Sequence, residues 1–198
     1  MLLAAGLSTR MGSPKPLLPW DGRPLLAYQI AQLHEAGIDD VVVVTGHAGA
    51  AVAAVARAAG ARVAHNPAYA EGRAGSVRVG AQAVANGRDV LVLNVDQPRT
   101  ASLIATVAGA RAGAITVPLF EGRRGHPAVF AARLLPELRA VSDASEGLRA
   151  VMRAHAAEVT LVPVTDDRAL LDLNTPEAYA RALRRFAIDY TPGSNAVT

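Results

Sequence analysis

One pentapeptide limits the folds open to this chain more than any other feature: Val41-Val42-Val43-Val44-Thr45. Side chains branched at Cβ favour extended backbone, and a run with no polar position in alternation suits a strand covered on both faces. Such strands belong to parallel sheets, whose crossovers place helices above and below. Further apolar runs occupy residues 90–95 and 114–118, the latter expected to stop at Pro118. Weaker strands are expected at 62–65, 127–131 and 159–164. The intervening stretches, rich in Ala, Leu and Arg, predict helices over 25–36, 49–59, 76–85, 100–111, 145–154 and 176–186. The first two end at Gly37 and Gly60, where left-handed backbone closes a helix without steric cost. The alternation reads as α/β with a largely parallel sheet.

No Gly/Ser-rich linker divides the chain and no fixed-period repeat is present, which predicts one domain over residues 1–190. Residues 191–198, with Val197 as their only large apolar side chain, are expected to form a loose tail. The first strand looks short, since only three residues precede Ala4-Ala5-Gly6, so the true start is expected slightly upstream. With 198 residues, 51% hydrophobic and 19% charged, the chain can fill one core, which excludes disordered, collagenous and low-complexity classes. It has no run of about eighteen apolar residues and no basic segment leading into an apolar one, so a cytoplasmic protein without a membrane partner is expected.

The absence of cysteine excludes disulfides, thiolate nucleophiles and cysteine-held zinc. Any metal must be held by oxygen or imidazole. The net charge of +3 suits anionic substrates. The arginines are dispersed and aromatics make up only 4%, so the basic face and stacking platform of a nucleic-acid binder are missing and no nucleic-acid partner is expected. Among 20 basic residues Lys15 is the only lysine, which marks a place where a compact point charge is wanted.

Lys15 lies in the most informative segment, residues 3–19, Leu-Ala-Ala-Gly-Leu-Ser-Thr-Arg-Met-Gly-Ser-Pro-Lys-Pro-Leu-Leu-Pro. Small residues directly after a strand let the backbone approach a ligand and aim N–H groups at its oxygens. Arg10 and Lys15 add cations from the same loop. Local chemistry alone is equally compatible with a surface loop whose charges are solvated. Neither Gly-x-x-x-x-Gly-Lys-Ser/Thr nor Gly-x-Gly-x-x-Gly is present.

Asp96 follows the strand at 90–95 and so sits at the carboxyl end of the sheet, where open α/β folds bind ligands. A turn or helix-cap role before Pro98 is its structural alternative. Asn174 or Thr175 is suited to cap a helix beginning at Pro176, and Ser76 to cap the helix it opens. In Arg123-Arg124-Gly125-His126-Pro127, two arginines and an imidazole suit a phosphate, although a lone histidine beside proline is more often structural. His34, His47, His65 and His155 show no metal-ligand spacing, and there is no Gly-x-Ser-x-Gly elbow for a hydrolase.

The opening segment resembles the signature of nucleotidyltransferases with the nucleotide-diphospho-sugar transferase fold, Leu-Ala-Ala-Gly-x-Ser-x-Arg-Met-Gly-x-x-Lys-x-Leu-Leu. Within them the chain looks most like the MobA-like molybdenum-cofactor nucleotidyltransferases, the cytidylyltransferase branch especially. Four later segments support this in order: Asn66-Pro67 through Gly72-Arg73-Ala74-Gly75-Ser76-Val77, then Asp96-Gln97-Pro98, Arg124-Gly125-His126-Pro127, and Asp172-Leu173-Asn174-Thr175-Pro176-Glu177.

The resemblance implies a single three-layer αβα domain whose mostly parallel, Rossmann-like sheet includes an antiparallel strand. It implies transfer of a nucleoside monophosphate from an NTP to a phosphorylated acceptor such as molybdopterin, with Mg²⁺ as cofactor and Mn²⁺ as an alternative ion. Arg10, Lys15 and Asp96 would be catalytic. Leu3, Ala4, Ala5 and Gly6 would contact the nucleotide, and Thr45, Gly46, Arg73 and Ser76 would read the base. His126 would meet the acceptor. Asp96 would bind metal with a second oxygen from Asp172 or Asn174.

Ala4-Ala5-Gly6 in place of Ala-Gly-Gly, and Asp96-Gln97-Pro98 in place of Asp-Met-Pro, point to CTP over GTP. Arg73 departs from the small or serine residues usual in the molybdopterin enzymes, and with Ser76, Val77 and Gly80 it matches cytidylyltransferases of isoprenoid synthesis instead. A guanylyltransferase and an oxidoreductase of heterocycle catabolism on the same fold are the alternatives. A molybdoenzyme or its chaperone is a candidate protein partner.

Overall fold

Val41 to Val44 are all buried, as the opening argument requires. The computed structural model describes residues 1–144 and 146–186. Its strands are β1 (Leu2–Ala4), β2 (Pro19–Trp20), β3 (Arg23–Pro24), β4 (Val42–Thr45), β5 (Arg62–His65), β6 (Val90–Asn94), β7 (Ile115–Phe120), β8 (Arg123–Arg124), β9 (Ala128–Phe130) and β10 (Val159–Pro163). The helices are α1 (Leu25–Glu35), α2 (Gly49–Ala58), α3 (Arg73–Gln82), α4 (Ala101–Gly109), α5 (Leu135–Ala140), α6 (Leu148–Ala154) and α7 (Pro176–Arg185).

The main sheet runs β10-β7-β9-β6-β1-β4-β5, with β8 folded back on β7, and β2-β3 form a separate small ladder. β1, β4, β5 and β6 pair in parallel, as do β7 and β10, whereas β9 lies antiparallel between β6 and β7. This is the mostly parallel sheet with an antiparallel strand that the family resemblance implies.

Strand alternation divides the core in two. Val90 and Val92 of β6 pack with Val44 against Ala74, Val77 and Ala81 of α3 and Leu135 and Leu138 of α5. Leu91 and Leu93 pack with Val41 and Val43 against α1, α2 and α4, through Ile30, Val52 and Ile104 among others. Helices therefore cover both faces. A third cluster seats α7 on Trp20, Leu25 and Leu173.

Three expectations need correction. β7 does not stop at Pro118 but continues to Phe120, with Pro118 opposite Val162 of β10. Proline removes a single donor from a ladder, and its carbonyl still accepts from Gly125 N at 2.9 Å. α5 was not apparent in the sequence; it is short, with a proline in its first turn.

The third correction concerns α3, which opens at Arg73, three residues before Ser76. Its first amides, Arg73 N and Ala74 N, donate to Asp143 Oδ1 at 3.1 and 3.2 Å, so the cap comes from a distant loop. Gly72 makes room for it: at φ +147° a Cβ there would lie 2.2 Å from the Asp143 carboxylate. Ser76 does not cap the helix; its hydroxyl accepts from Asn66 Nδ2 at 3.0 Å. The expected tail at 191–198, and Ser145 at the head of the helix predicted over 145–154, lie outside the described residues.

Candidate active site

β1 lies between β4 and β6, with Leu3 opposite both Val44 and Asn94 and Ala4 opposite Thr45. The carboxyl ends of the three strands therefore finish side by side, and the loops that follow them face one another. Buried Gln29 of α1 braces this edge, its Nε2 donating to Val95 O at 2.6 Å. The loop after β1 turns through left-handed backbone at Ser8 (φ 55°) and Gly12 (φ 66°). It closes on itself where Lys15 N donates to Ser8 Oγ at 3.0 Å.

That closure carries Lys15 inward until it is only 8% exposed. Its ammonium donates to Asp96 Oδ2 at 2.7 Å and Asn174 Oδ1 at 2.8 Å. Each acceptor is free for this because a neighbour does the capping. Thr100 caps α4 by accepting from Leu103 N, and Thr175 caps α7 by accepting from Ala178 N at 3.2 Å. Leu173 N donates to Asp96 O at 2.8 Å, which fastens the segment bearing Asn174 to the segment bearing Asp96.

Around these groups opens a cleft of about 220 Å³. Leu3, Ala4, Ala5, Gly6, Arg10, Lys15, Arg73, Ser76, Asp96 and Asn174, all singled out in the sequence, line it. The exposed Arg10 has no hydrogen bond or ion pair to another described residue. Arg73 reaches Asn94 Oδ1 at 3.4 Å. Thr45 and Gly46 are buried behind the wall rather than in it: Thr45 Oγ1 pairs with His65 Nδ1 at 3.2 Å, and Gly46 lies under Tyr69. Asp172 and His126 also stand off the lining.

The electrostatics follow from burial. Burial pushes the His126 imidazole down to about 4, with Arg99 and Arg73 adding to the shift and Asp96 opposing it, so the ring is neutral at pH 7. Partial desolvation raises Asp172 above the usual carboxylate range, and the charge of Asp96 raises it further. Both groups therefore lie within the electrostatic reach of Asp96, although neither faces the cleft.

A family model, the MobA-like NTP transferase domain, matches residues 1–159. The chain belongs to this family. Among its relatives it is 32% identical over 196 residues to the nicotine blue oxidoreductase of Paenarthrobacter nicotinovorans, covering 92% of this chain and 95% of that one. It is 25% identical over 187 residues to the molybdenum cofactor cytidylyltransferase of Escherichia coli (strain K12), covering 94% and 95%. The crystal structure of Rv0371c from Mycobacterium tuberculosis H37Rv is 27% identical, with a TM-score of 0.80 over 92% of this chain and 95% of that one, and a second structure of it is a complex with manganese.

Several cleft residues of this MobA-like domain were not singled out as site residues in the sequence. Tyr69 lines the cleft and its ring lies 6.1 Å from that of His47, centroid to centroid. Ser8, Gly72 and Asn94 also form its surface. Ser8 stood inside the opening signature; Tyr69 and Asn94 carried no local signal, because each is a common core or turn residue until the fold brings it to the strand ends.

Proposed function

We propose that this chain is a divalent-cation-dependent nucleotidyltransferase that transfers CMP from CTP to a phosphorylated acceptor, the molybdopterin cofactor being the first candidate, with release of pyrophosphate. The domain spans residues 1–190 and works in the cytoplasm. One observation carries the reading: a buried lysine, a carboxylate and an amide oxygen from three distant segments meet at the carboxyl edge of a parallel sheet, beside a glycine-containing loop.

The reaction is displacement at the α-phosphorus. An acceptor phosphate oxygen forms the new P–O bond as the bond to the β-phosphate bridging oxygen breaks, and the electron pair leaves with pyrophosphate. No protein nucleophile is needed, only alignment of two polyanions and neutralisation of charge. The loop at Ala4, Ala5 and Gly6 brings backbone close to the nucleotide, while Arg10 and Lys15 present positive charge to the triphosphate. Arg73 and Ser76 line the side of the cleft where α3 begins, suited to the base. His126 stands off this lining, so the acceptor contact that the resemblance implies for it would need a surface beyond the cleft.

The oxygens of Asp96 and Asn174 already converge on a cation, the Lys15 ammonium, and an all-oxygen donor set with one carboxylate fits a hard divalent ion that takes its remaining ligands from phosphates and water. Asp96 and Asn174 would hold it, with Asp172 close by. When bound, such an ion supplies charge neutralisation on the phosphates. The manganese complex of Rv0371c supports a divalent cation, for which Mg²⁺ and Mn²⁺ are the candidates.

A second reading has one observation in its favour, the 32% identity to nicotine blue oxidoreductase. Pyrophosphate release, assayed with each of the four NTPs and with or without molybdopterin, separates the readings. CTP is expected to exceed GTP in kcat/KM by at least about tenfold, or 1.4 kcal/mol. Equal use or a GTP preference overturns the cytidine assignment. No release with any NTP, together with a yellow flavin spectrum or nicotinamide oxidation, favours the oxidoreductase.

A further inference from the structure

Arg99 is 1% exposed, yet among the described residues no carboxylate is hydrogen-bonded to its guanidinium. It donates instead to four backbone carbonyls: Nε to His126 O at 2.9 Å, Nη1 to Pro98 O at 3.1 Å and Leu171 O at 3.0 Å, and Nη2 to Ala169 O at 3.1 Å. Burying an unpaired guanidinium is costly, and lysine could not satisfy four carbonyls spread around a plane. A buried cation in such a place has a use beyond filling space.

The carbonyls belong to three segments that end at the candidate site. Pro98 follows Asp96 by two residues, Leu171 directly precedes Asp172, and His126 carries the neutral imidazole. Thr100 Oγ1 adds a bond to Asp166 Oδ2 at 3.1 Å, at the start of the turn that offers Ala169 O. The side chain is thus a fork whose prongs hold the Asp96 loop at a set distance from the segment bearing Asp172 and Asn174. Asp172, Asp166 and Asp96 attract the buried guanidinium and offset part of its desolvation.

We infer that Arg99 is a positioning residue, which sets the separation of Asp96 from Asn174 so that the pair accepts a divalent cation. This rests on the reading of Asp96 and Asn174 as cation ligands. Groups behind a metal's direct ligands commonly set its affinity by about 10- to 100-fold.

The test uses the full chain and Mn²⁺ alone, its binding followed by the loss of free-ion paramagnetic resonance signal, on the wild type, Asp96→Asn, Arg99→Lys and Arg99→Gln. Arg99→Lys, which keeps the charge but loses the fork, is expected to weaken Mn²⁺ binding at least about tenfold, and Arg99→Gln, which loses the fork as well, is expected to weaken it too. In pyrophosphate release the Mg²⁺ concentration for half-maximal rate should rise in parallel, while KM for CTP at saturating Mg²⁺ changes less than about threefold, since Arg99 touches no substrate surface. Thr100→Val, which loosens the same turn without disturbing the buried charge, should weaken Mn²⁺ detectably and keeps the test open if the Arg99 variants do not fold.

If Arg99 only stabilised the fold, melting temperatures would drop and Mn²⁺ affinity below the transition would not. That result, or an unchanged affinity in a folded Thr100→Val when the Arg99 variants fail to fold, overturns the inference. Equal Mn²⁺ binding by wild type and Asp96→Asn overturns the cation-site reading itself, and the inference with it.

Discussion

Lys15 Nζ donates to Asp96 Oδ2 at 2.7 Å across 81 residues of sequence, in an ion pair whose side chains are only 11% and 20% exposed. The chain's single lysine is therefore not a solvated surface charge. Its ammonium also serves Asn174, two oxygens sharing one compact cation.

Lys15→Arg keeps the charge but places a larger planar fork where a point charge stood between two oxygens. Turnover is expected to fall by at least about tenfold. The melting temperature should stay within a few degrees, about 1 kcal/mol or less in a chain of this size. Lys15→Ala should lower turnover further. Steady-state rates and thermal unfolding of both variants check this, and full activity in Lys15→Arg would remove Lys15 from the chemistry.

Asp96→Asn retains an oxygen to accept from Lys15, and the bond from Leu173 N to the Asp96 carbonyl is untouched, so native circular dichroism is expected. Turnover should fall by roughly a hundredfold or more, the size of effect seen when a main electrostatic contribution is lost. Rates measured across a range of Mg²⁺ concentrations decide it. Near-normal turnover at low Mg²⁺ would reduce Asp96 to a turn residue.

Gly46 tests the wall of the cleft. A Cβ there would lie 2.5 Å from Tyr69 Cβ and 2.8 Å from Ala5 O, so Gly46→Ala must push Tyr69 or the loop after β1 aside. Overpacking of this kind costs about 1–3 kcal/mol. Both displaced groups line the cleft, so KM for the nucleotide should rise as well. Chemical denaturation and nucleotide titration measure the two effects, and unchanged values in both would show that Tyr69 moves freely.

His126 gives a pH dependence with a defined sign. Its folded value of about 4 lies below the ordinary 6.5, so the unfolded chain takes up a proton first as pH falls. The stability tied to the neutral ring is complete above about pH 6.5 and lost between there and pH 4, an amount on the order of 2–3 kcal/mol. His126→Gln should flatten that part of the stability curve. Unfolding of both proteins between pH 4 and 7 checks it; parallel curves would place the imidazole in water.

The sequence by itself determined where most strands of the main sheet and the longer helices lie, because periodicity and β-branching act locally. Val41 to Val44, the alternation of Val90, Leu91, Val92 and Leu93 between two cores, and Thr175 with Pro176 at the head of α7 all follow from neighbours along the chain. The opening loop was legible for the same reason, since its small residues, Arg10 and Lys15 fall within one segment.

Only the tertiary structure decided what that segment meets. Asn174 reaches Lys15 across 159 residues, Asp143 caps α3 in place of Ser76, and Arg99, one more arginine in an arginine-rich sequence, becomes a buried fork for four carbonyls. Local propensity carries no information about these pairings. They exist because the crossovers bring the carboxyl ends of β1, β4 and β6 together, and polar groups shut away from water there must find partners wherever the fold has put them.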